Sequence, residues 1–469
     1  MLVLTKRSAR ATVAERIVFA GFLLTLALIP LPFGADRPWA WSLFAVSVGG
    51  LMLCWGILAA RSRSYQAASI RPLLPAVGLF VLVVLWVAIQ ASGLVPADWR
   101  HPLWSATEAA LGRPVGGGVS LDEHRTWTAM MRLMCYGSVF LLSFQLCISS
   151  DRSERLIRML IGMTMVYACY GLFVQSAGID KVLWYTKDDG AGQLSSTFLD
   201  PDAFAAYAGL GLLCALALLF RPTMRKGDLE SSWKFATRAL ADFFFARTWT
   251  MLLGVSVLFG AVLMTYSRTG LAVALLGAGA YLAVMAWVRK GRNVSIVAVA
   301  VMGVAVSSLL AMAGGPGATA IVAAERAEAY SQTVNAISAE PTFGTGYGTY
   351  EFIVGMLRGG GPETLPRRIN NTYLENAVEI GIPATVALLL SIGWIVLLCY
   401  ASVLRHRRAA YLPCLGVAAT VLVGAYGAVD DGIQIPAVVA TYAAILGAAC
   451  AQAFRLEIPE RRTDERRAA

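Results

Sequence analysis

The sequence predicts an all-α protein, a polytopic bundle of transmembrane helices, on three observations. Of the 469 residues, 57% are hydrophobic and only 14% are charged, whereas soluble domains carry about 25% charged residues. Apolar runs recur from residue 17 to residue 453. Many of these runs approach the roughly 20 apolar residues that a spanning helix needs. Together these features exclude a soluble globular domain.

About twelve spans follow one another along the chain. Their predicted bounds are 17–33, 40–60, 72–92, 128–149, 158–177, 201–220, 248–266, 270–288, 293–312, 381–401, 410–428 and 435–453. The lysine- and arginine-rich connectors all fall on one side of this arrangement. By the positive-inside rule, this bias predicts that both termini are cytoplasmic, an N-in/C-in topology.

The predicted organisation follows from the spans. Residues 1–313 hold the first nine helices, with outer loops at 93–127 and 178–199. Residues 314–379 form one large outer loop between helices 9 and 10. Residues 380–454 hold helices 10–12, and 455–469 form a cytoplasmic tail. The net charge of +10 lies in short clusters between apolar runs, so it predicts contact with lipid headgroups and no nucleic-acid partner.

Metal and cofactor chemistry find little support in the sequence. Each of the eight cysteines lies in or beside an apolar run, which predicts buried apolar side chains. The cysteines show no spacing typical of a metal site, and the chain has three histidines. We therefore expect no metal site and no cofactor.

Arg268 is the single residue that the sequence most clearly indicates as a candidate binding residue. It lies in TYSRTG, where two apolar helices meet with almost no loop. A charge at the edge of the hydrocarbon is costly unless it reaches the interface or finds a partner. One interpretation is an interfacial arginine that anchors a hairpin. The other is a planar guanidinium that binds phosphate, with Ser267 and Thr269 as neighbouring donors.

The large loop adds further arginines, namely Arg326, Arg358, Arg367 and Arg368. Adjacent cations on the outer side run against the topology bias, which predicts an anionic partner. Glu375 and Glu379 follow them at the start of helix 10. A carboxylate there is a candidate general base, and it is equally a candidate ion-pair partner for an arginine.

Gly344, Gly346 and Gly348 lie in the same loop, in EPTFGTGYGTY. No strand–glycine–helix context surrounds them, so they do not indicate nucleotide binding. They predict a tight loop that docks against the membrane surface.

Four stretches in order carry a family resemblance: STFLDPDAFAAYAGLGLL at 195–212, TYSRTGLA at 265–272, EPTFGTGYGTY at 340–350 and NNTYLENAVEIGIPA at 370–384. With the topology, they resemble the O-antigen ligase and polymerase superfamily. The resemblance implies a metal-independent, inverting glycosyltransferase of the GT-C architecture in the bacterial inner membrane. The large loop would then be periplasmic.

The resemblance also implies the partners. The donor would be a glycan on undecaprenyl diphosphate. The acceptor would be a glycan or a lipid-linked glycan in lipopolysaccharide or exopolysaccharide synthesis, with a chain-length regulator as a further partner. The resemblance assigns Arg268 to the diphosphate and gives Arg367 and Arg368 a similar or acceptor-orienting role.

The sequence departs from the ligase pattern at one place. Ligases carry His-Asn where this chain has Asn370 and Asn371. Asparagine cannot take a proton, although it can hydrogen-bond an acceptor hydroxyl. This difference favours a polymerase-type member, with Glu379 or Glu375 as the nearest candidate base beside the two asparagines.

Two alternatives stay open from the sequence. One is an O-antigen ligase that transfers glycan to lipid A-core. The other is a transporter of the lipid-linked glycan. A transporter is expected to place charges mid-span and to show repeat symmetry, neither of which is visible here.

Overall fold

A computed structural model gives the fold. It describes residues 13–61, 69–179, 181–186, 192–221, 248–289, 320–357, 371–406, 410–430 and 432–468. The α-helices are α1 Val13–Leu28, α2 Pro38–Arg61, α3 Leu74–Gln90, α4 Pro102–Leu111, α5 Glu123–Leu146, α6 Ser150–Ser176, α7 Pro201–Leu219, α8 Thr248–Met264, α9 Arg268–Arg289, α10 Ala320–Ala339, α11 Tyr350–Leu357, α12 Thr372–Arg405, α13 Tyr411–Val429 and α14 Pro436–Ala468.

The remaining regular structure is short. A two-stranded antiparallel hairpin, β1 Lys181–Val182 and β2 Tyr185–Thr186, follows α6. Single 3₁₀ turns lie at Phe33–Ala35, Arg71–Leu73, Ala97–Trp99 and Gly432–Gln434.

The all-α membrane fold is confirmed. Among the described residues, nine helices are long and apolar enough to cross a membrane. They are α2, α3 with its preceding 3₁₀ turn, α5, α6, α7, α9, α12, α13 and α14. The predicted span at 293–312 lies outside the described residues.

The tenth predicted span begins earlier than expected. The sequence predicts a start at 381, whereas α12 begins at Thr372. Gly381 has φ 80° and ψ 160°, which kinks the helix. The apolar pattern marks only the part after the kink. The polar turns before it form a separate helical part of α12, and Asn371 caps the start of that part.

Two helices form the centre of the bundle. The apolar windows of α7 and α14 are 83% and 89% buried, whereas that of α2 is 11% buried. Outer helices therefore turn apolar side chains toward lipid, where the hydrocarbon is as apolar as they are. The expectation that every cysteine is buried is wrong for Cys54 on α2 and Cys169 on α6, which are exposed.

The predicted outer loops meet at one end of the bundle, here called the loop end: described residues 29–37, 91–122, 177–200, 265–267, 340–349 and 430–435. Two backbone hydrogen bonds join its parts: Leu121 N donates to Thr345 O at 3.0 Å, and Leu194 N donates to Met264 O at 3.2 Å. Which membrane face it occupies stays a prediction.

Ion pairs tie the helices together at the opposite end. Arg152 bonds Glu15 of α1 at 2.8 Å, and Glu154 receives both Arg158 and Arg221. These contacts hold α1, α6 and the end of α7 together.

Candidate functional site

The turn before α9 is held by hydrogen bonds between its own side chains and backbone. Thr265 Oγ1 accepts a hydrogen bond from Ser267 N at 3.2 Å. Ser267 Oγ in turn accepts from Gly270 N at 2.7 Å and caps the helix. Tyr266 between them has φ 53°, a left-handed conformation that a bulky residue adopts only under tight local constraint. The turn thus holds Arg268 as the first residue of α9.

Arg268 is exposed at this helix start. Among the described residues, no carboxylate oxygen lies within 4.0 Å of its guanidinium. A helix N-terminus carries about half a positive charge and free N–H groups. The guanidinium and the helix end therefore favour the same ligand, an anion such as phosphate.

Close packing fixes α9 against α7. A methyl group on Gly270 would lie 2.3 Å from Ala205 Cβ, so only glycine fits there. Ala205 lies one turn inside the start of α7, whose cap is Asp200. Its carboxylate accepts from Asp202 N at 3.0 Å and from Ala203 N at 3.1 Å. The starts of α7 and α9 are therefore neighbours.

Three polar side chains gather around Gly432, between α13 and α14. A methyl group on Gly432 would lie 2.6 Å from Tyr426 Oη, 3.0 Å from Asp200 Oδ2 and 3.2 Å from Asp430 Oδ1. Asp430 is only 4% exposed, and its Oδ1 accepts from Gly432 N at 2.8 Å. This cluster connects the start of α7 to the end of α13.

Asn371 caps α12. Its Oδ1 accepts from Tyr373 N and Leu374 N, both at 3.1 Å, and its Nδ2 donates to Ala428 O of α13 at 3.1 Å. The amide is thus held by backbone groups on both sides. The structure gives Asn371 a positioning role, and its catalytic role stays a prediction.

The two predicted carboxylates of α12 are both 4% exposed but have different partners. Glu375 accepts from Gln434 Nε2 at 2.5 Å. Glu379 accepts from the backbone N–H of Tyr350 at 2.9 Å, where a negative charge stabilises the start of α11. Glu375 therefore bonds a side chain in the turn before α14, whereas Glu379 bonds the backbone at the start of α11.

The segment 341–349 docks onto the kink of α12. Gly344 has φ 68°, and a methyl group on it would lie 2.4 Å from Glu379 O. Gly346 N donates to the same carbonyl oxygen at 2.9 Å. The buried Gln90 donates to Phe343 O at 2.6 Å and to Glu379 O at 3.0 Å. The predicted tight loop thus lies against α12 and α3, and it positions the first two turns of α12.

Several predicted site residues are not placed. Asn370, Arg367 and Arg368 lie outside the described residues. Arg326 lies in α10, and its side chain is not described. Their contact with Arg268 stays a prediction. Within the described part of the chain, no three His, Cys, Asp or Glu side chains group as metal ligands.

A path of contacts connects the described site residues. It runs from Arg268 through the start of α7 to the Gly432 cluster. It continues to α12, where Thr372 Oγ1 donates to Asp430 O at 3.4 Å. Sequence reasoning predicted Arg268, Glu375 and Asn371 but missed Asp200 and Asp430 as their connection. The signal was available, since each aspartate adjoins an apolar helix.

Gln90 and His101 were also missed as structural residues. Gln90 is the one strongly polar side chain in the predicted span at 72–92, which is a usable signal. His101 Nδ1 caps α4 by accepting from Leu103 N at 3.2 Å. Burial lowers the pKa of His101 below its ordinary value, so the neutral imidazole that can accept this bond is favoured.

Comparison with known protein families gives a match in the second half of the chain. A family model described as O-antigen ligase matches residues 253–389, less than a third of the chain. The matched region runs from α8 into α12 and contains Arg268, Asn371, Glu375 and Glu379. The predicted resemblance is confirmed, and the match supports the O-antigen ligase and polymerase superfamily. No curated protein matches the chain.

Proposed function

We propose that this membrane protein, whose residues 253–389 match the O-antigen ligase family, polymerises a glycan carried on undecaprenyl diphosphate. The donor diphosphate binds at Arg268 and the start of α9. A second lipid-linked glycan is the acceptor. The loop end faces the periplasm of a bacterial inner membrane, where such a donor is available.

One observation carries the proposal. Arg268 is exposed at a capped helix start, with no carboxylate within 4.0 Å among the described residues. Here the guanidinium fork and the helix dipole are both available to a phosphate group.

The reaction then needs no metal. The acceptor hydroxyl oxygen attacks the anomeric carbon of the donor sugar, and the bond from that carbon to the diphosphate oxygen breaks. The lipid diphosphate leaves with the electron pair, and Arg268 stabilises the charge that develops on it. Attack from the face opposite the leaving group inverts the anomeric configuration.

The proton of the acceptor hydroxyl needs a base. Glu375 is the candidate base because Gln434, which donates to its carboxylate, lies in the turn that holds the Gly432 cluster. Glu379 instead stabilises the start of α11. Asn371 and Asn370 cannot take the proton, but Asn371 positions the first turn of α12, on which Glu375 lies.

A ligase is the second candidate, and the description of the matching family favours it. In that case the same donor site serves a lipid A-core acceptor. The family match also supports glycan transfer rather than the transport that the sequence left open.

The decisive experiment is product analysis in cells that lack the gene and carry the chain on a plasmid. Polymerisation predicts repeat ladders on undecaprenyl diphosphate that disappear with Arg268→Ala, at unchanged protein level in the membrane. Ladders appearing only on lipid A-core would favour the ligase. Normal ladders with Arg268→Ala would refute the diphosphate role, and Asn370→His tests whether a ligase histidine changes the acceptor.

A further inference from the structure

A second arginine, Arg132, lies inside a candidate span. It is the tenth residue of α5, which starts at Glu123, so it lies about 14 Å from the helix start at 1.5 Å per residue. Ionisable side chains within spans are costly, and they usually face the bundle or a ligand path. Arg132 is half-buried, and its presence needs a physical reason.

The depth of Arg132 follows from the packing of α5 on α14. Ser143 Oγ donates to Ala444 O at 2.6 Å, and both helices leave the loop end in the same direction. Arg132 precedes Ser143 by three turns of α5. At 1.5 Å per residue this places Arg132 about one turn outside the start of α14 at Pro436, on the side of the loop end. Arg132 therefore lies level with the turn that holds Gly432 and Gln434.

One aromatic ring contacts the guanidinium, and two tyrosines lie near it. Its central carbon lies 5.8 Å from the centre of the Trp41 ring on α2. Tyr136 lies one turn further along the same face of α5. Burial and the Glu379 carboxylate raise the pKa of Tyr347, and the Arg132 charge lowers it. The segment that docks on α12 packs against this part of α5, since Tyr347 lies in one apolar cluster with Met130 and Leu133.

In the part of the chain that the structure describes, no ion pair neutralises this cation. Among the described residues, no carboxylate has an oxygen within 4.0 Å of the Arg132 guanidinium. A cation–π contact leaves the planar N–H fork free for a bidentate acceptor. The site is thus cationic, partly enclosed and rich in aromatic side chains.

Exposed apolar side chains flank this site. On α2, Leu43 and Val46 are 61% and 73% exposed, and on α5 Trp127 and Met134 are 46% and 49% exposed. In a membrane, hydrocarbon chains cover these side chains. A phosphate on a lipid chain can therefore reach Arg132 without leaving the bilayer.

Arg132 and Arg268 belong to different faces of the bundle. Helix α5 packs on α14, α2 and α3, whereas α9 packs on α13 and α7. We propose that Arg132, with Trp41 beside it, forms a second anion site that binds the phosphate of the lipid-linked acceptor while Arg268 binds the donor. This rests on the proposed polymerase function, which needs two lipid-linked substrates at once.

Native mass spectrometry of the purified full chain, titrated with undecaprenyl diphosphate, tests the proposal. The wild type is expected to bind two molecules, and Arg132→Gln and Arg268→Gln one each, with at least tenfold weaker binding of the second. Arg37→Gln is the matched control, because Arg37 also stacks on an aromatic ring, that of Tyr185, at 5.1 Å. It is expected to bind two.

Each other outcome overturns the second site. Two molecules bound to Arg132→Gln at wild-type affinity would remove Arg132 from binding. One molecule on the wild type, lost in either variant, would mean a single site. If phosphatidylglycerol displaced undecaprenyl diphosphate from the Arg132 site as well as undecaprenyl diphosphate itself does, the site would be an ordinary headgroup site. If inorganic pyrophosphate did so, it would be a site for free anions. No binding to the wild type would refute the proposed function as well.

A wild-type measurement covers the case that Arg132→Gln does not fold. A polyprenyl diphosphate with a photoreactive group next to the diphosphate is expected to label peptides of both α2–α5 and α8–α9. Labelling confined to α8–α9 would overturn the proposal.

Discussion

A single methyl group at Gly381 is expected to detach the segment 341–349 from α12. The φ of 80° and ψ of 160° of Gly381 lie in a region open essentially to glycine alone. A methyl group there would lie 2.2 Å from Thr342 O, well inside van der Waals contact. Gly381→Ala must therefore move the segment 341–349 away from α12.

The cost can be estimated from the contacts. The backbone conformation costs alanine about 1–3 kcal/mol. Moving the segment also breaks the hydrogen bonds from Ile382 N to Pro341 O and from Gly346 N to Glu379 O, both 2.9 Å, at about 1 kcal/mol each. A total of about 3 kcal/mol or more is roughly a hundredfold rise in local opening at 1.4 kcal/mol per tenfold.

Hydrogen exchange and limited proteolysis of the purified protein measure this opening. Amides of 341–349 should exchange about a hundredfold faster in Gly381→Ala. The rate of glycan transfer should fall in the same variant. Gly393→Ala is the matched control on the same helix, since a methyl group there meets nothing within 4 Å. Wild-type protection of 341–349 in Gly381→Ala would refute the account of this docking.

Three further predictions test the site. Ser267→Ala removes the cap of α9, at about 1 kcal/mol, and should raise the KM for donor several-fold, with Ser267→Thr restoring it. Glu375→Gln should lower kcat by about 10²-fold or more if Glu375 is the base, whereas Glu379→Gln should mainly lower stability. If steady-state kinetics show the large loss of kcat in Glu379→Gln and not in Glu375→Gln, Glu379 is the base. The pKa of His101 is lowered in the folded state. The contribution of His101 to stability is therefore present above its ordinary pKa and is lost as the pH falls from there through the folded-state pKa. Hydrogen exchange of the first α4 amides should rise on acidification, and His101→Asn should abolish that response.

The membrane fold was predictable because hydrophobicity alone specifies it. The apolar runs at 40–60, 201–220 and 410–428 become α2, α7 and α13 with boundaries shifted by a residue or two. Arg268 was likewise predictable, since a charge between two apolar runs is visible without any packing. Local patterns of this kind need no knowledge of distant neighbours.

Contacts between distant segments were not predictable. Nothing in the sequence pairs Glu379 with the N–H of Tyr350. Nor does it pair Gln90 with Phe343 O, which lies more than 250 residues away. Arg132 was overlooked because one cation does not interrupt the apolar pattern of its span. The kink at Gly381 hid the first turns of α12, since glycine followed by proline two residues later resembles a helix boundary.

The most direct test of the central claim is a reconstituted transfer assay with an undecaprenyl-diphosphate-linked oligosaccharide. If Arg268 stabilises the departing diphosphate, Arg268→Ala should lower kcat/KM by about 10²–10³-fold. Arg268→Lys should retain part of that activity, because it keeps the charge but not the fork, and Arg37→Ala should match the wild type. Wild-type rates with Arg268→Ala in folded, membrane-inserted protein would contradict the claim.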